Sequence, residues 1–326
     1  MNNPMTVMLV TGAVAFAVAA TAGPAIIKTL RRLKFGQKIL EDGPAWHMNK
    51  QNTPTMGGFI FILGMAVAIA VALLFNGLTD PRPLYMLGLS LVFGAIGFID
   101  DYTKVKKKRN KGLTAMQKLL LQIAAAALFL SVLRLQDYLT PHLVVPFVGA
   151  VFELPWGVYL LFSIFVIVGA VNAVNLTDGI DGLCGSVTAV VTLYFCAVFY
   201  GAGLAAPSGF SAALLGGLLG FLLYNHYPAR VFMGDTGSLY LGGAVCAMAF
   251  VYDMPLILVP VGLIYIIETL SDILQVGYYK ISGGKRIFKM APIHHHFEKC
   301  GWSERKIVAV FTAITALCCA LTLLFA

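Results

Sequence analysis

The sequence predicts an all-α, polytopic membrane protein with about ten transmembrane helices, both termini outside and the long polar loops on the cytoplasmic side. Three observations carry this. The 326 residues are 59% hydrophobic and only 12% charged, where a soluble chain carries about 25% charge. Apolar runs of bilayer length recur along the chain. The lysines and arginines collect in alternate loops. The same composition makes a disordered chain or a basic nucleic-acid binder a poor fit, and nothing divides residues 1–326 into more than one integral membrane domain.

The runs 5–27, 56–76, 157–176, 210–227, 255–279 and 307–325 are of convincing length. The shorter runs 84–99, 119–133, 184–200 and 237–252 have apolar or small flanks that extend them toward the roughly 20 residues of a span. The first run lacks a basic leader, and its charges follow it at Lys28, Arg31 and Arg32, so it reads as a span rather than a cleavable signal. Segment 134–157, with Pro141, Pro146 and Pro155, reads as a short surface element. Pro255 and Pro260 allow the ninth span to bend. The six cysteines show no metal spacing and mostly sit in apolar runs, as small hydrophobes do.

With the N-terminus outside, loops 28–55, 100–118, 177–183, 226–236 and 277–306 face the cytoplasm. They hold every lysine and arginine except Arg82 and Arg134. Losing one span would move later basic loops to the wrong side, so charge supports the count. The same loops hold Glu41, Asp42, Asp100, Asp101, Asp178, Asp181, Asp235, Glu298 and Glu304. Glu41, Asp42, Glu298 and Glu304 read as ordinary solvated charges.

Asp100 and Asp101 differ, because they close an apolar run. Adjacent carboxylates there must bind a cation, share a proton, or face basic partners such as Lys104, Lys107 or Lys108. In NAVNLTDGIDGL, Asn172, Asn175, Asp178 and Asp181 recur at steps of three, which puts Asn172 and Asn175 on one helical stripe. A structural turn is the plain alternative. In PARVFMGDTGSLYLGG, Asp235 stands at a helix start. It offers a hard cation one oxygen ligand, with Thr236 or Ser238 available to cap. Glu268 and Asp272 share a face of the ninth span, where a carboxylate is expensive unless partnered or used.

His294, His295 and His296 stand in a row beside Lys285, Arg286, Lys289 and Lys299. On a helix, neighbouring side chains point about 100° apart, so three in a row do not converge on one metal. They suit hydrogen bonds to phosphate, or one proton-transfer role with two supporting ones. Met290, Ile293, Phe297 and Trp302 can rest at the membrane interface beside them. Segment 36–58 adds Lys38, His47 and Lys50 before TPTMGG. Acids suited to Mg²⁺ beside bases suited to phosphate point to chemistry between a soluble phosphorylated substrate and a phosphorylated lipid. A secondary transporter is the rival, but it needs a midplane site, and only Glu268 and Asp272 approach one.

TPTMGG at 53–58, the Asp100-Asp101 pair, NLTDGIDGL at 175–183, FMGDTGSL at 232–239 and APIHHHFE at 291–298 together resemble the phospho-N-acetylmuramoyl-pentapeptide transferase family. That family lies within the polyprenyl-phosphate N-acetylhexosamine-1-phosphate transferase superfamily. The likeness runs from about residue 36 to residue 302, and PIHHHFE and TPTMGG favour this branch over the N-acetylglucosamine-phosphate one. Asn52 departs from the glycine expected there. The resemblance implies Mg²⁺-dependent transfer of phospho-MurNAc-pentapeptide from UDP-MurNAc-pentapeptide to undecaprenyl phosphate, giving lipid I and UMP. It also implies a homodimer in the bacterial cytoplasmic (inner) membrane. Carried over by residue, Asp235 is the Mg²⁺ ligand. Asp100 deprotonates or orients the lipid phosphate with support from Asp101, and Asp178 lies near the diphosphate. Asp181 and Phe232 belong to the uridine pocket, Asn175 and Lys50 to substrate contacts, and His294, His295 and His296 to a phosphate- and sugar-facing group. Direct attack of the lipid phosphate and a covalent aspartyl intermediate both remain open. Direct attack is favoured, because a phosphate monoester is already mostly ionised near neutral pH.

Overall fold

The computed structural model describes residues 3–33, 53–76, 79–107 and 112–325. Helix α1 (Pro4–Arg32) starts where the Asn3 side chain accepts the Met5 N–H at 2.9 Å, with Pro4 at the first position, where a missing N–H costs nothing. It ends on Arg31 and Arg32, which complement the negative end of the helix dipole. Helices α2 (Phe59–Asn76) and α3 (Arg82–Lys107) follow. Helix α4 (Ala115–Leu135) opens on a capping box between Thr114 and Gln117.

Segment 134–157 folds into a hairpin. Strand β1 (His142–Val144) pairs antiparallel with β2 (Val151–Glu153), His142 facing Glu153. Asp253 ties down the approach to this hairpin by accepting the Thr140 N–H at 3.0 Å and its hydroxyl at 2.6 Å. The remaining long elements are α5 (Trp156–Leu176), α6 (Leu183–Gly201), α7 (Ala205–Asn225) and α8 (Gly234–Val251). After a 3-10 turn at Pro255–Ile257 come α9 (Leu258–Val261), α10 (Leu263–Ile281), α11 (Ile293–Lys299) and α12 (Glu304–Phe325). Apart from the hairpin, the described regular structure is helical.

Each expected apolar run falls on a helix or on the bent α9–α10 unit. Among the described residues, seven helices (α1, α3, α4, α5, α6, α7 and α12) are long and apolar enough to cross a bilayer, and an eighth span results if Pro255–Ile281 is counted as one. The protein is thus a polytopic membrane protein. Helix α2 falls short in length, because TPTMGG ahead of it is not helical. Helix α8 falls short in apolarity, because it opens GDTGS. Every residue from Thr236 to Val251 is nevertheless buried, so α8 is a central helix that meets other helices rather than lipid. Small and weakly polar residues suit such packing.

The expected bend is present and measures 81°. It lies at Gly262, where α9 ends and α10 restarts, just after Pro260 withdraws a backbone donor from the helical ladder. Phe297 of α11 stacks on Trp302 at 4.7 Å between ring centres and meets Phe311 of α12 edge-on at 5.9 Å. Through Phe297 the apolar side of this segment packs on α12.

Candidate active site

The site grows from the crossing of α3 and α8. A methyl group added at Gly97 would run into the backbone carbonyl of Asp235, so only glycine lets the two helices meet at this depth. One turn further along α3 come Asp100 and Asp101. Segment 53–58 lies alongside 232–233 and is held by backbone bonds: Phe232 N–H to Pro54 O (2.8 Å), Gly57 N–H to Phe232 O (2.7 Å) and Gly58 N–H to Met233 O (3.1 Å). TPTMGG and FMGD, far apart in sequence, thus form one strip beneath the carboxylates.

One oxygen from each of Asp100, Asp101 and Asp235 lies within 4.8 Å of the others. The Lys104 ammonium reaches all three, at 2.6 Å from Asp100, 3.9 Å from Asp101 and 2.9 Å from Asp235. Lys118 of α4 adds a second ammonium 3.2 Å from Asp235. The other Asp235 oxygen accepts the Asn175 amide at 2.9 Å, and that amide also donates to the Ser238 hydroxyl at 2.7 Å. Asp100 accepts the Leu113 N–H at 2.7 Å. Asp101 accepts both the Thr236 N–H (2.9 Å) and its hydroxyl (2.8 Å). Carboxylates this close need positive charge and fixed donors around them, and α3, α4, α5 and α8 each supply some.

Loop 177–182 forms the next wall. Asp178 is partly buried. Burial first, then the carboxylates of Asp235, Asp101 and Asp181, hold its carboxyl well above the usual range. The loop is clamped on two sides. The Asp181 N–H donates to Glu304 (3.1 Å) and its carboxylate accepts the Ala229 N–H (2.8 Å). Asn225 accepts the Gly182 N–H (3.1 Å) and donates to Val231 O (2.9 Å). The three histidines each engage Nδ1 differently. His294 meets Glu268 at 2.9 Å, His295 meets Glu298 at 2.6 Å, and His296 accepts the Lys289 N–H at 3.0 Å.

Buried acids, lysines and histidines gathered from motifs spread along most of the chain make a specific signature, and comparison with known proteins agrees with it. Residues 83–253 match the model of glycosyl transferase family 4. The phospho-N-acetylmuramoyl-pentapeptide-transferase of Clostridium perfringens is 47% identical over 320 residues, covering 98% of each chain. The chain belongs to the phospho-N-acetylmuramoyl-pentapeptide-transferase family. The Acetivibrio thermocellus relative of the same name is 48% identical over 94% of this chain and 91% of its own. That of Bacillus cytotoxicus is 44% identical over 94% of each. Membership of this transferase family sets the transporter alternative aside.

Of the residues singled out in the sequence, Asp100, Asp101, Asp235 and Asn175 come together directly. Asp178 and Asp181 share the adjoining loop, and Phe232 lies on the strip, three residues after the Ala229 N–H that Asp181 accepts. Lys50, His47 and Asn52 lie outside the described residues, as do the side chains of Lys107 and Lys108. Asn172 and Asn175 lie one turn apart on α5, as their spacing predicts, but only Asn175 reaches the carboxylates: the Asn172 amide donates to Gln122 of α4 at 2.8 Å. Glu298 and Glu304 are buried rather than solvated, one holding His295 and the other the loop. Thr236 does not cap its own helix but is itself held by Asp101. Lys118 and Asn225 carried no motif signal, and only their tertiary partners reveal them.

Proposed function

We propose that this chain transfers phospho-MurNAc-pentapeptide from UDP-MurNAc-pentapeptide to undecaprenyl phosphate, forming lipid I and releasing UMP. The single observation that carries the reading is the Asp100–Asp101–Asp235 cluster with its two lysines. Its donor set fits Mg²⁺. Three carboxylates offer the oxygen ligands that a hard divalent cation takes, and the place between them already attracts the Lys104 ammonium. Asp235 is the principal ligand in this account, with Asp100 and Asp101 beside it. When bound, Mg²⁺ supplies charge neutralisation for the diphosphate.

The remaining roles belong to the chain. An oxygen of the lipid phosphate attacks the β-phosphorus of the UDP-sugar. A new P–O bond forms, the bond to the bridging oxygen breaks, and its electron pair leaves with UMP. The attacking monoester, with a second pKa of about 6, needs little base, so Asp100 orients it and accepts any remaining proton. Asp101 holds the start of α8, and with it Asp235, in register. Lys104 and Lys118 place positive charge beside the developing negative charge of the departing phosphate. Asp178 is a polar contact beside the diphosphate. Asp181 and Phe232 bind the uridine, Asp181 by hydrogen bonding and Phe232 by stacking. Lys50 and Asn175 complete the substrate contacts, and the histidines face the phosphate and sugar.

In the same account the chain makes ten spans with both termini outside. It works as a homodimer in the bacterial cytoplasmic membrane, with the site facing the cytoplasm. The charge asymmetry of the loops and the helix on each apolar run support that orientation. The test is UMP release by purified protein in detergent, with UDP-MurNAc-pentapeptide, polyprenyl phosphate and Mg²⁺ each omitted in turn. Release that requires all three is expected, and no release from folded protein with adequate lipid would refute the reading.

A further inference from the structure

Glu268 and His294 form a buried pair that the reaction outlined above does not explain. Glu268 lies on α10, wholly buried, with one oxygen 2.9 Å from His294 Nδ1 and the other oxygen without a partner. His294 is equally buried, and its Nε2 also lacks a partner. That nitrogen rests against Gly179, where an added methyl group would overlap the ring. His294 Nε2 is therefore aimed at the loop that carries Asp178 and Asp181.

The hydrogen bonds distinguish the neighbouring histidines. A carboxylate can only accept, so His294 carries a proton on Nδ1 and Nε2 becomes the working atom. His296 has the reverse arrangement. Its Nδ1 accepts the Lys289 N–H, so its own proton lies on Nε2, 3.7 Å from the Cys300 sulfur. A carboxylate behind an imidazole fixes its tautomer and orientation and stabilises its protonated form. The placement is also costly, since an acidic side chain sits on a membrane helix with a half-satisfied head group. A role confined to packing would be met by an apolar residue.

We propose that Glu268 is a positioning residue for the transfer reaction. In this proposal, which rests on the function given above, Glu268 acts only through His294. It holds Nε2 toward the Asp178–Asp181 loop, where that nitrogen meets an anionic oxygen of the substrate diphosphate once substrate displaces the Gly179 contact. Glu268 itself touches no substrate.

The experiment is a double-mutant cycle on the full-length protein in detergent, read by UMP release, with thermal stability measured in parallel. Glu268→Gln keeps the volume and removes the charge, and Glu268→Ala removes the contact. Each is expected to lower kcat by at least about tenfold, the lower end of the loss when a carboxylate that orients a metal-bound imidazole is removed, with both KM values changing less than about threefold. In a His294→Ala background, Glu268→Ala should cost less than about twofold more, because its route of action has already been removed. Equal losses in both backgrounds, an effect confined to KM, or unchanged kcat in Glu268→Gln would each overturn the proposal. So would a kcat loss matched by a comparable loss of thermal stability in both Glu268 variants. A wild-type protein that releases no UMP would refute the functional reading itself, whereas active wild type with additive variants refutes only the role of Glu268.

Discussion

Asp101 caps a helix to which it does not belong: one of its oxygens accepts both the backbone N–H and the hydroxyl of Thr236, in the first turn of α8. The first N–H groups of a helix have no internal partners, and a carboxylate there also meets the positive end of the helix dipole. The next residue back along α8 is Asp235. One contact thus sets both the start of the central helix and the position of the proposed metal ligand.

This relationship separates stability from turnover. Asp101→Asn keeps an acceptor for Thr236 and should retain nearly wild-type thermal stability in detergent. Asp101→Ala should lose about 0.5–2 kcal/mol, the usual cost of a lost cap. Both should lose most UMP release, because both remove the charge. Equal stability of the two variants would show that the cap carries no weight.

Gly97→Ala tests the depth of the α3–α8 crossing. The new methyl group meets the Asp235 carbonyl, which is backbone and cannot rotate away. The helices must part, which separates Asp100 and Asp101 from Asp235. The expected cost is about 1–3 kcal/mol of stability, as for other overpacked positions, together with a fall in kcat. An active, equally stable variant would mean that the crossing is looser than the contact implies.

Asp178 gives a pH-dependent expectation. Its carboxyl is raised by burial and by the surrounding carboxylates of Asp235, Asp101 and Asp181. A folded-state value above the unfolded one contributes stability that is fully present below the unfolded pKa, about 3.9. That stability is lost as pH rises toward the folded value. Asp178→Asn, which cannot ionise, should therefore raise thermal stability at neutral pH and give no gain below about pH 4. A thermal-shift series across pH checks this, and a gain that persists at low pH would point to packing instead.

Much of this was legible in the sequence, for identifiable reasons. Hydropathy marked the helices that face lipid, but α8 reads weakly because its residues meet other helices, where glycine and serine pack well. The acids of the site were visible because a carboxylate at the end of an apolar run needs a partner. The partners themselves were not visible. Lys118 looks like any basic loop residue until it meets Asp235 across the bundle. Glu304 looks like a solvated charge until α12 brings it against the backbone of Asp181. Asn172 and Asn175 share a helical spacing, yet the neighbouring helices give them different work, one bracing α4 and the other holding Asp235. Local pattern specifies the face on which a residue lies, and tertiary packing decides what that face meets.

The central claim is that the carboxylate cluster is the reaction centre and that Asp235 holds its cation. The most direct measurement is UMP release by wild type and Asp235→Asn across a Mg²⁺ titration, with thermal stability confirming that both are folded. The account predicts that the variant loses at least about 100-fold in kcat, in the range seen when one electrostatic stabiliser of a transition state is removed, and that saturating Mg²⁺ does not restore it. Near-normal turnover by Asp235→Asn at limiting Mg²⁺ would contradict it.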